Sequence, residues 1–254
     1  MVWGRWVRRA AAVAVGAASS SVGVAAEQRT REPVVEPWTG ATFSPTCSCW
    51  AVRTPTACSR SNLVLVGVGA RCMLDNCVLP IMRAYSLALY IDAGVVASEA
   101  RTLEQAVFLD RWPVALKIVV NRTVSADHFS GGFRRSISKR VAADDDADVR
   151  GHLEVVVDAF KRRGMFLPGD EIVLTWSDDG ALLVTISGEV VADVQCEALG
   201  RAVLHAYLGG NPISRRAKDS FESGWRDLIG ASVDQVAVHA DVSVQAKRED
   251  AVPA

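Results

Sequence analysis

The chain has 254 residues, half of them hydrophobic, and a formal net charge of −1. That suits one globular domain of about 180–200 residues plus an N-terminal extension. The near-neutral balance gives no long-range pull toward nucleic acid or anionic membrane. No basic cluster is interleaved with aromatics and no repeat of solenoid length occurs, which excludes nucleic-acid binding and repeat architectures.

In chain order, residues 1–26 contain no Asp or Glu but carry Arg5, Arg8 and Arg9, an Ala/Val run and Ser19-Ser20-Ser21. Arg-rich, Ser-rich and acid-poor is the composition of an organellar presequence, expected here to be mitochondrial rather than plastid. Two other readings stay open: a secretory signal ending near Val24-Ala25-Ala26, and a weak membrane anchor over Ala10–Ala26, short and poor in large apolar side chains. Residues 27–61 form a polar lead-in with Pro33, Pro37, Pro45 and Pro55. Within it, Val35–Phe43 reads as a first edge strand with a Thr39-Gly40 turn.

The main domain is expected over residues 62–230. Asn62–Val66 is a strand, and Gly67-Val68-Gly69-Ala70-Arg71 reads as a glycine-rich turn that delivers Arg71 into apolar surroundings. Such a guanidinium needs a partner, either a carboxylate of the fold such as Asp92 or Asp75, or a ligand. Ile81–Asp92 is a second strand. Tyr85, Leu87, Leu89 and Ile91 share one face with Ile81 and Arg83; Met82, Ala84, Ser86, Ala88 and Tyr90 share the other, so both faces are expected to be covered.

Ala97–Arg111 reads as a helix with Leu103, Ala106, Val107 and Trp112 inward. Val114–Val120 is a strand. Ser125 caps a helix that Gly131-Gly132 interrupts. Asp144-Asp145-Asp146 with Asp148 is a solvated loop and cap for a helix over Gly151–Gly164, with Leu153, Val156, Val157 and Phe160 inward. Strands follow at Glu171–Trp176, Ala181–Ile186 and Glu189–Val194, separated by Ser177-Asp178-Asp179-Gly180 and Ser187-Gly188 turns. Glu197–Leu208 is an amphipathic helix closed by Gly209-Gly210. Pro212 and Ser214 open a last helix to about Leu228. Residues 231–254 lack a pattern and read as a tail. Strands and helices segregate, so the expected class is α+β, a large antiparallel sheet with a layer of helices.

The six cysteines, Cys47, Cys49, Cys58, Cys72, Cys77 and Cys196, include no CxxC pair. No histidine stands at zinc-ligand spacing from them, so no metal site is expected. Cys47-Ser48-Cys49 could bind a soft metal or pair with Cys58; reduced thiols in a loop are the plainer reading. The histidines, His128, His152, His205 and His239, are scattered, and their spacing supports no haem or metal role.

Four blocks in this order resemble the chalcone isomerase-like family, over roughly residues 35–228. They are Val35-Glu36-Pro37 with Thr39-Gly40 and Phe43; Leu65–Arg71 followed by Arg83–Asp92; Lys117–Ser125; and Gly180, Gly188, Leu204-His205-Ala206-Tyr207-Leu208-Gly209 with Pro212-Ile213-Ser214. The resemblance implies that family's open-faced sandwich. Its members include isomerases that cyclise chalcones, non-catalytic enhancers and fatty-acid-binding proteins of organelles; fungal mitochondrial members also exist. Arg71 takes the place of an arginine that orients a phenolate in the enzymes and pairs with a carboxylate in the lipid binders.

The resemblance also discriminates between branches. Where the isomerases have a threonine, Tyr85 is similar to the tyrosine of the fatty-acid-binding members. Phe129 stands where the isomerases have a catalytic tyrosine, and phenylalanine donates no hydrogen bond. Their following lysine and asparagine fall near Gly132 and Ser136, and a Thr-Met pair becomes Ala206-Tyr207. The implied function is therefore binding of a fatty acid or similar hydrophobic carboxylate between sheet and helices. Arg71, Tyr85, Phe129 and Tyr207 are the ligand-binding residues, with no catalytic residue, cofactor or metal.

Two alternatives remain, an intramolecular lyase on an unknown substrate and a mitochondrial haem-binding member. The plainer readings make Tyr85 a core tyrosine with one satisfied hydroxyl, and Phe129 and Tyr207 core or pocket lining. Beyond the small hydrophobic ligand, the expectation is a monomer without nucleic acid, with membrane association through the N-terminus.

Overall fold

Runs of β-branched and aliphatic residues, punctuated by glycine turns, build one seven-stranded antiparallel sheet in the computed structural model of this protein. The structure describes residues 32–48, 62–73, 77–92, 102–109, 113–141, 146–177 and 180–230. The presequence residues, Cys49, Cys58, Asp75, Trp112, Asp144, Asp145, His239 and the tail lie outside the described residues. The described elements all belong to one compact unit.

In order they are β1 (Val34–Val35), β2 (Thr42–Phe43), β3 (Thr46–Ser48), β4 (Asn62–Cys72) and β5 (Arg83–Asp92), then α1 (Leu103–Leu109), β6 (Val114–Val120), β7 (Val124–Ser125), α2 (Ala126–Ser138) and α3 (Asp146–Arg162). After these come β8 (Met165–Phe166), β9 (Glu171–Trp176), β10 (Ala181–Ile186), β11 (Glu189–Gln195), α4 (Glu197–Leu208) and α5, residues 215–230. The sheet runs β11-β10-β9-β6-β5-β4-β3, and β1/β2 and β7/β8 form two small separate pairs. The class is α+β with helices on a large antiparallel sheet, as the segregation of elements implies.

Both faces of β5 are covered. Leu87, Leu89 and Ile91 join Leu116 and Ile118 in the core under the helices, with Val156, Phe160 and Val203 among its members. Ala88 and Tyr90 join Phe43, Leu63 and Val68 in a smaller cluster on the opposite face. Fully burying an aliphatic or aromatic side chain is worth about 1.5–3 kcal/mol, so these alternating rows dominate the stability of the sheet.

Residues 34–43 form a hairpin rather than an edge strand of the main sheet; the edge is β3. The reason is a buried carboxylate. Glu36 is 1% exposed, and its Oε2 accepts from the backbone N–H of Trp38 and Thr39 at 3.1 and 2.8 Å and from Thr39 Oγ1 at 2.6 Å. These bonds fold the segment into a turn instead of leaving it extended. Thr39 Oγ1 also meets Ser86 Oγ at 2.7 Å, and Asn121 Nδ2 donates to Ser86 Oγ at 3.0 Å. The hairpin thus gives the buried Ser86 hydroxyl of β5 a partner.

Gly67–Arg71 is not a turn. It lies within the eleven residues of β4. The glycines serve a neighbour far along the chain. A Cβ on Gly69 would stand 2.5 Å from Ala217 Cα, and one on Gly67 would stand 2.8 Å from the Ser220 carbonyl oxygen. Gly224 answers from α5, where a Cβ would fall 1.7 Å from the Val66 carbonyl oxygen. Two backbones touch here, and only glycine permits it.

Several boundaries also move. Ile81 and Met82 belong to a short 3-10 turn, Pro80–Met82, because Pro80 starts it; the strand begins at Arg83. Ser125 does cap α2, accepting from the His128 backbone N–H at 3.3 Å, but the helix runs through Gly131-Gly132. Two helical glycines cost about 2 kcal/mol, while buried Phe133, Ile137 and Ala126 return more than that. α3 starts at Asp146, ahead of Gly151, with Asp148 in its first turn, where the helix dipole favours a carboxylate. Finally, the thiols are not all reduced: Cys72 and Cys77 form a disulfide with Cα atoms 5.2 Å apart. Their spacing matches no common motif, and a Cα separation in the usual disulfide range lets them pair.

Candidate functional site

A cavity of about 600 Å³ opens where the ends of β4, β5 and β6 pass beyond the helices that seal the rest of the sheet. The register explains its floor. Arg71 lies opposite Tyr85, and Tyr85 opposite Val120, so the three stand in one row on the helix side of the sheet. One wall comes from α2, with Phe129 and Phe133; another comes from Tyr207 at the end of α4 and from Ile213 in the link to α5.

The link is fixed to the sheet. Arg71 Nη1 donates to the Ile213 carbonyl, and Ser214 Oγ donates to the Ala70 carbonyl at 2.7 Å. The Ser214 hydroxyl also accepts from the Ala217 N–H at 3.3 Å, so it caps α5 while holding it to β4. Asp92, the carboxylate considered for Arg71, sits at the opposite end of the strand pair, opposite Leu63. Asp75 lies outside the described residues.

The Tyr85 and Tyr207 hydroxyls share a hydrogen bond. Burial pushes the Tyr85 phenol above its ordinary value and the Tyr207 phenol well above it; the Arg71 charge acts in the opposite direction on both. Both hydroxyls therefore stay neutral donors through the physiological range. Phe129 sits in an aromatic cluster, its ring 4.9 Å from Phe166, 5.3 Å from Phe160 and 6.3 Å from Tyr85. It supplies apolar wall and no proton.

The structure thus brings Arg71, Tyr85, Phe129 and Tyr207 to one cavity. It also adds residues that the sequence reading passed over. Arg122, Arg135, Lys139, Arg140 and Arg215 line the same space, and no Asp or Glu is among the described residues around it. Arg140 is held in place by donating to the carbonyls of Ser136, at 2.5 Å, and Asn211. Burial favours its neutral form, and the adjoining Tyr207 opposes that shift. One signal for this wall was present in the sequence. His128, Gly132, Arg135, Ser136 and Lys139 recur at helical spacing and all line the cavity, while Ile137 turns to the core. Gly132 and Ser136, where the isomerases carry a lysine and an asparagine, both fall on the wall.

The histidines separate. His128 lines the cavity mouth, His152 sits on α3, and His205 stacks on Phe108 with ring centroids 4.2 Å apart. The spacing argument against metal ligands did not foresee one juxtaposition. Asp148, His152 and Cys196 bring ligand atoms within 4.8 Å of one another. His152 Nδ1 is already 3.0 Å from the Asp148 carbonyl oxygen, one turn earlier on the same helix.

A family model described as chalcone isomerase like matches residues 97–222. That stretch runs from before α1 into α5; it includes Phe129 and Tyr207 but begins after the β4–β5 pair. Among solved structures, the crystal structure of a fatty-acid binding protein from Arabidopsis thaliana is similar, with a TM-score of 0.60 at 21% identity, covering 78% of this chain and 99% of that one. At that identity the likeness is one of fold. No curated protein matches the chain.

Proposed function

We propose that this chain, whose residues 97–222 match the chalcone isomerase-like family model, is a binding protein for a long-chain carboxylate such as a fatty acid. The carrying observation is the row of neutral phenol and guanidinium donors on one wall of a cavity that has no carboxylate of its own among the described residues. The Tyr85 and Tyr207 hydroxyls bond each other, and that bond uses one of their two protons, which leaves the other to donate to the ligand. A carboxylate placed there accepts from Tyr85 and from the Arg71 guanidinium, and charge-assisted bonds of this kind are about twice as strong as neutral ones.

The alkyl chain then lies against Phe129, Phe133, Val120 and Val124. Each buried methylene contributes about 0.8 kcal/mol, which sets a strong preference for long chains. The cavity volume is in the range of small-molecule sites, roughly 300–1,000 Å³. A fatty-acid-binding protein as a neighbour in fold supports the reading. So does Phe129, which leaves a cyclising enzyme without its tyrosine donor. Titration calorimetry on delipidated protein tests it. Palmitate is expected to bind at least tenfold more tightly than octanoate, and Arg71→Ala to weaken palmitate. Equal affinities for the two acids, unchanged by Arg71→Ala, defeat the reading.

A further inference from the structure

We infer that the cavity mouth is a docking surface for an anionic lipid bilayer. Val78, Leu79, Pro80 and Ile81 are four consecutive apolar residues on the surface, and Val78, Leu79 and Ile81 are 70%, 52% and 72% exposed. Contiguous exposed apolar side chains of this size mark contact sites rather than ordinary surface. The loop is held in shape. The Cys72–Cys77 disulfide ties its start to β4, and the Arg83 Nε donates to the Cys77 carbonyl at 2.9 Å. The Met82 N–H donates to the Leu79 carbonyl at 2.9 Å. Its apolar side chains are thus presented to solvent by a braced turn.

The loop stands at the mouth. Arg122 Nη1 donates to the Ile81 carbonyl at 3.0 Å, and Arg122 also lines the cavity. Met73, 38% exposed, lines the cavity as well and lies just after Cys72 in the loop. Around the same opening stand Arg135, Lys139 and Arg215, all exposed. An apolar prong beside a basic rim is the pattern of interfacial binding: the prong enters the acyl boundary while the cations meet the head groups.

Charge complementarity selects the occupant. A second copy docked by the same face would set like charges against each other, whereas anionic lipid neutralises them. The near-neutral total of the chain hides this, because its charges are segregated. Docked in this way, the mouth opens on the membrane, where single-chain amphiphiles reside. The docking inference rests on the loop and rim alone and stands or falls apart from the head-group assignment.

The test uses the full chain with vesicles of phosphatidylcholine, alone or with about one third phosphatidylserine. Hydrogen exchange is read at residues 77–83, together with co-sedimentation. Anionic vesicles are expected to slow exchange in that segment, and phosphatidylcholine alone to leave it unchanged. Leu79→Asp with Ile81→Asp should abolish the protection. Arg135→Gln with Lys139→Gln should weaken partitioning roughly thirtyfold at low salt, about fivefold for each cation. The inference is overturned if vesicle-bound wild-type protein exchanges at residues 77–83 as free protein does, if no vesicle binding occurs, or if protection depends on protein concentration without vesicles, the mark of self-association. The wild-type exchange result decides even where a variant fails to fold.

Discussion

Two rows on the same face of the sheet meet opposite fates. Gly67, Leu89, Leu116, Leu174 and Val184 lie side by side across five strands, and the four side chains among them are at most 1% exposed. Two pairs further along, Arg71, Tyr85 and Val120 border an open cavity. The difference lies in the helix layer. Glycines at positions 67 and 69 let α5 touch β4, and the contact ends where Arg71 grips the Ile213 carbonyl ahead of α5. A binding cavity arises here because the strands outlast the glycines. Its wall is polar because the chain places donors, not aliphatics, at the ends of those strands.

The comparison can be broken by substitution. Leu116→Ala in the closed row should cost about 2–5 kcal/mol of unfolding free energy in denaturant titration, through lost burial and a cavity. Gly69→Ala, which drives a methyl into Ala217, should cost about 1–3 kcal/mol by the same measurement. If it is neutral, the backbone contact is not what seals the row.

In the open row Tyr85→Phe should weaken palmitate binding by about 1.5 kcal/mol, roughly tenfold, by removing one donor to a charged group. Stability should change by less than for Gly69→Ala, since the ring stays. Gly132→Ala, on the cavity wall with nothing within 4 Å of the added methyl, should raise stability by about 1 kcal/mol. The same chemical change, glycine to alanine, thus carries opposite signs in the two regions.

The phenols give a pH test. Tyr85 and Tyr207 hold their protons more tightly when folded than when unfolded. Their contribution is therefore fully present below the ordinary phenol value of about 10 and is lost as pH rises through the folded values. Denaturant midpoints should fall above pH 10. The phenolate absorbance of the native chain, which has three tyrosines, should lag behind that of the unfolded chain. Superimposable titrations would mean that neither hydroxyl is buried.

Much of the sheet was legible because its punctuation is local. Alternation and Asp-Gly or Ser-Gly turns place β6, β9 and β10 at their observed bounds, and amphipathic spacing does the same for α4. Gly67 and Gly69 misled for a physical reason. Glycine in sequence signals a turn, but here its partner is Ala217, about one hundred and fifty residues away, and nothing nearby records that contact. The Cys72–Cys77 pairing was hidden in the same way, since it depends on how the loop after β4 turns. Arg71 stood out from its apolar surroundings, and Tyr85, Phe129 and Tyr207 were reached through family resemblance. The basic face of α2 was readable from spacing alone, yet was lost beneath the glycines that seemed to interrupt the helix.

The central claim is that the open row holds a carboxylate. Carbon-13 NMR of carboxyl-labelled palmitate on delipidated protein tests it most directly. The account predicts a distinct bound resonance that stays ionised to lower pH than free palmitate, because Arg71 and Tyr85 favour the charged form. Arg71→Gln should raise that titration toward the free value. A bound carboxyl that titrates like the free acid in the wild type, or one indifferent to Arg71→Gln, would contradict it.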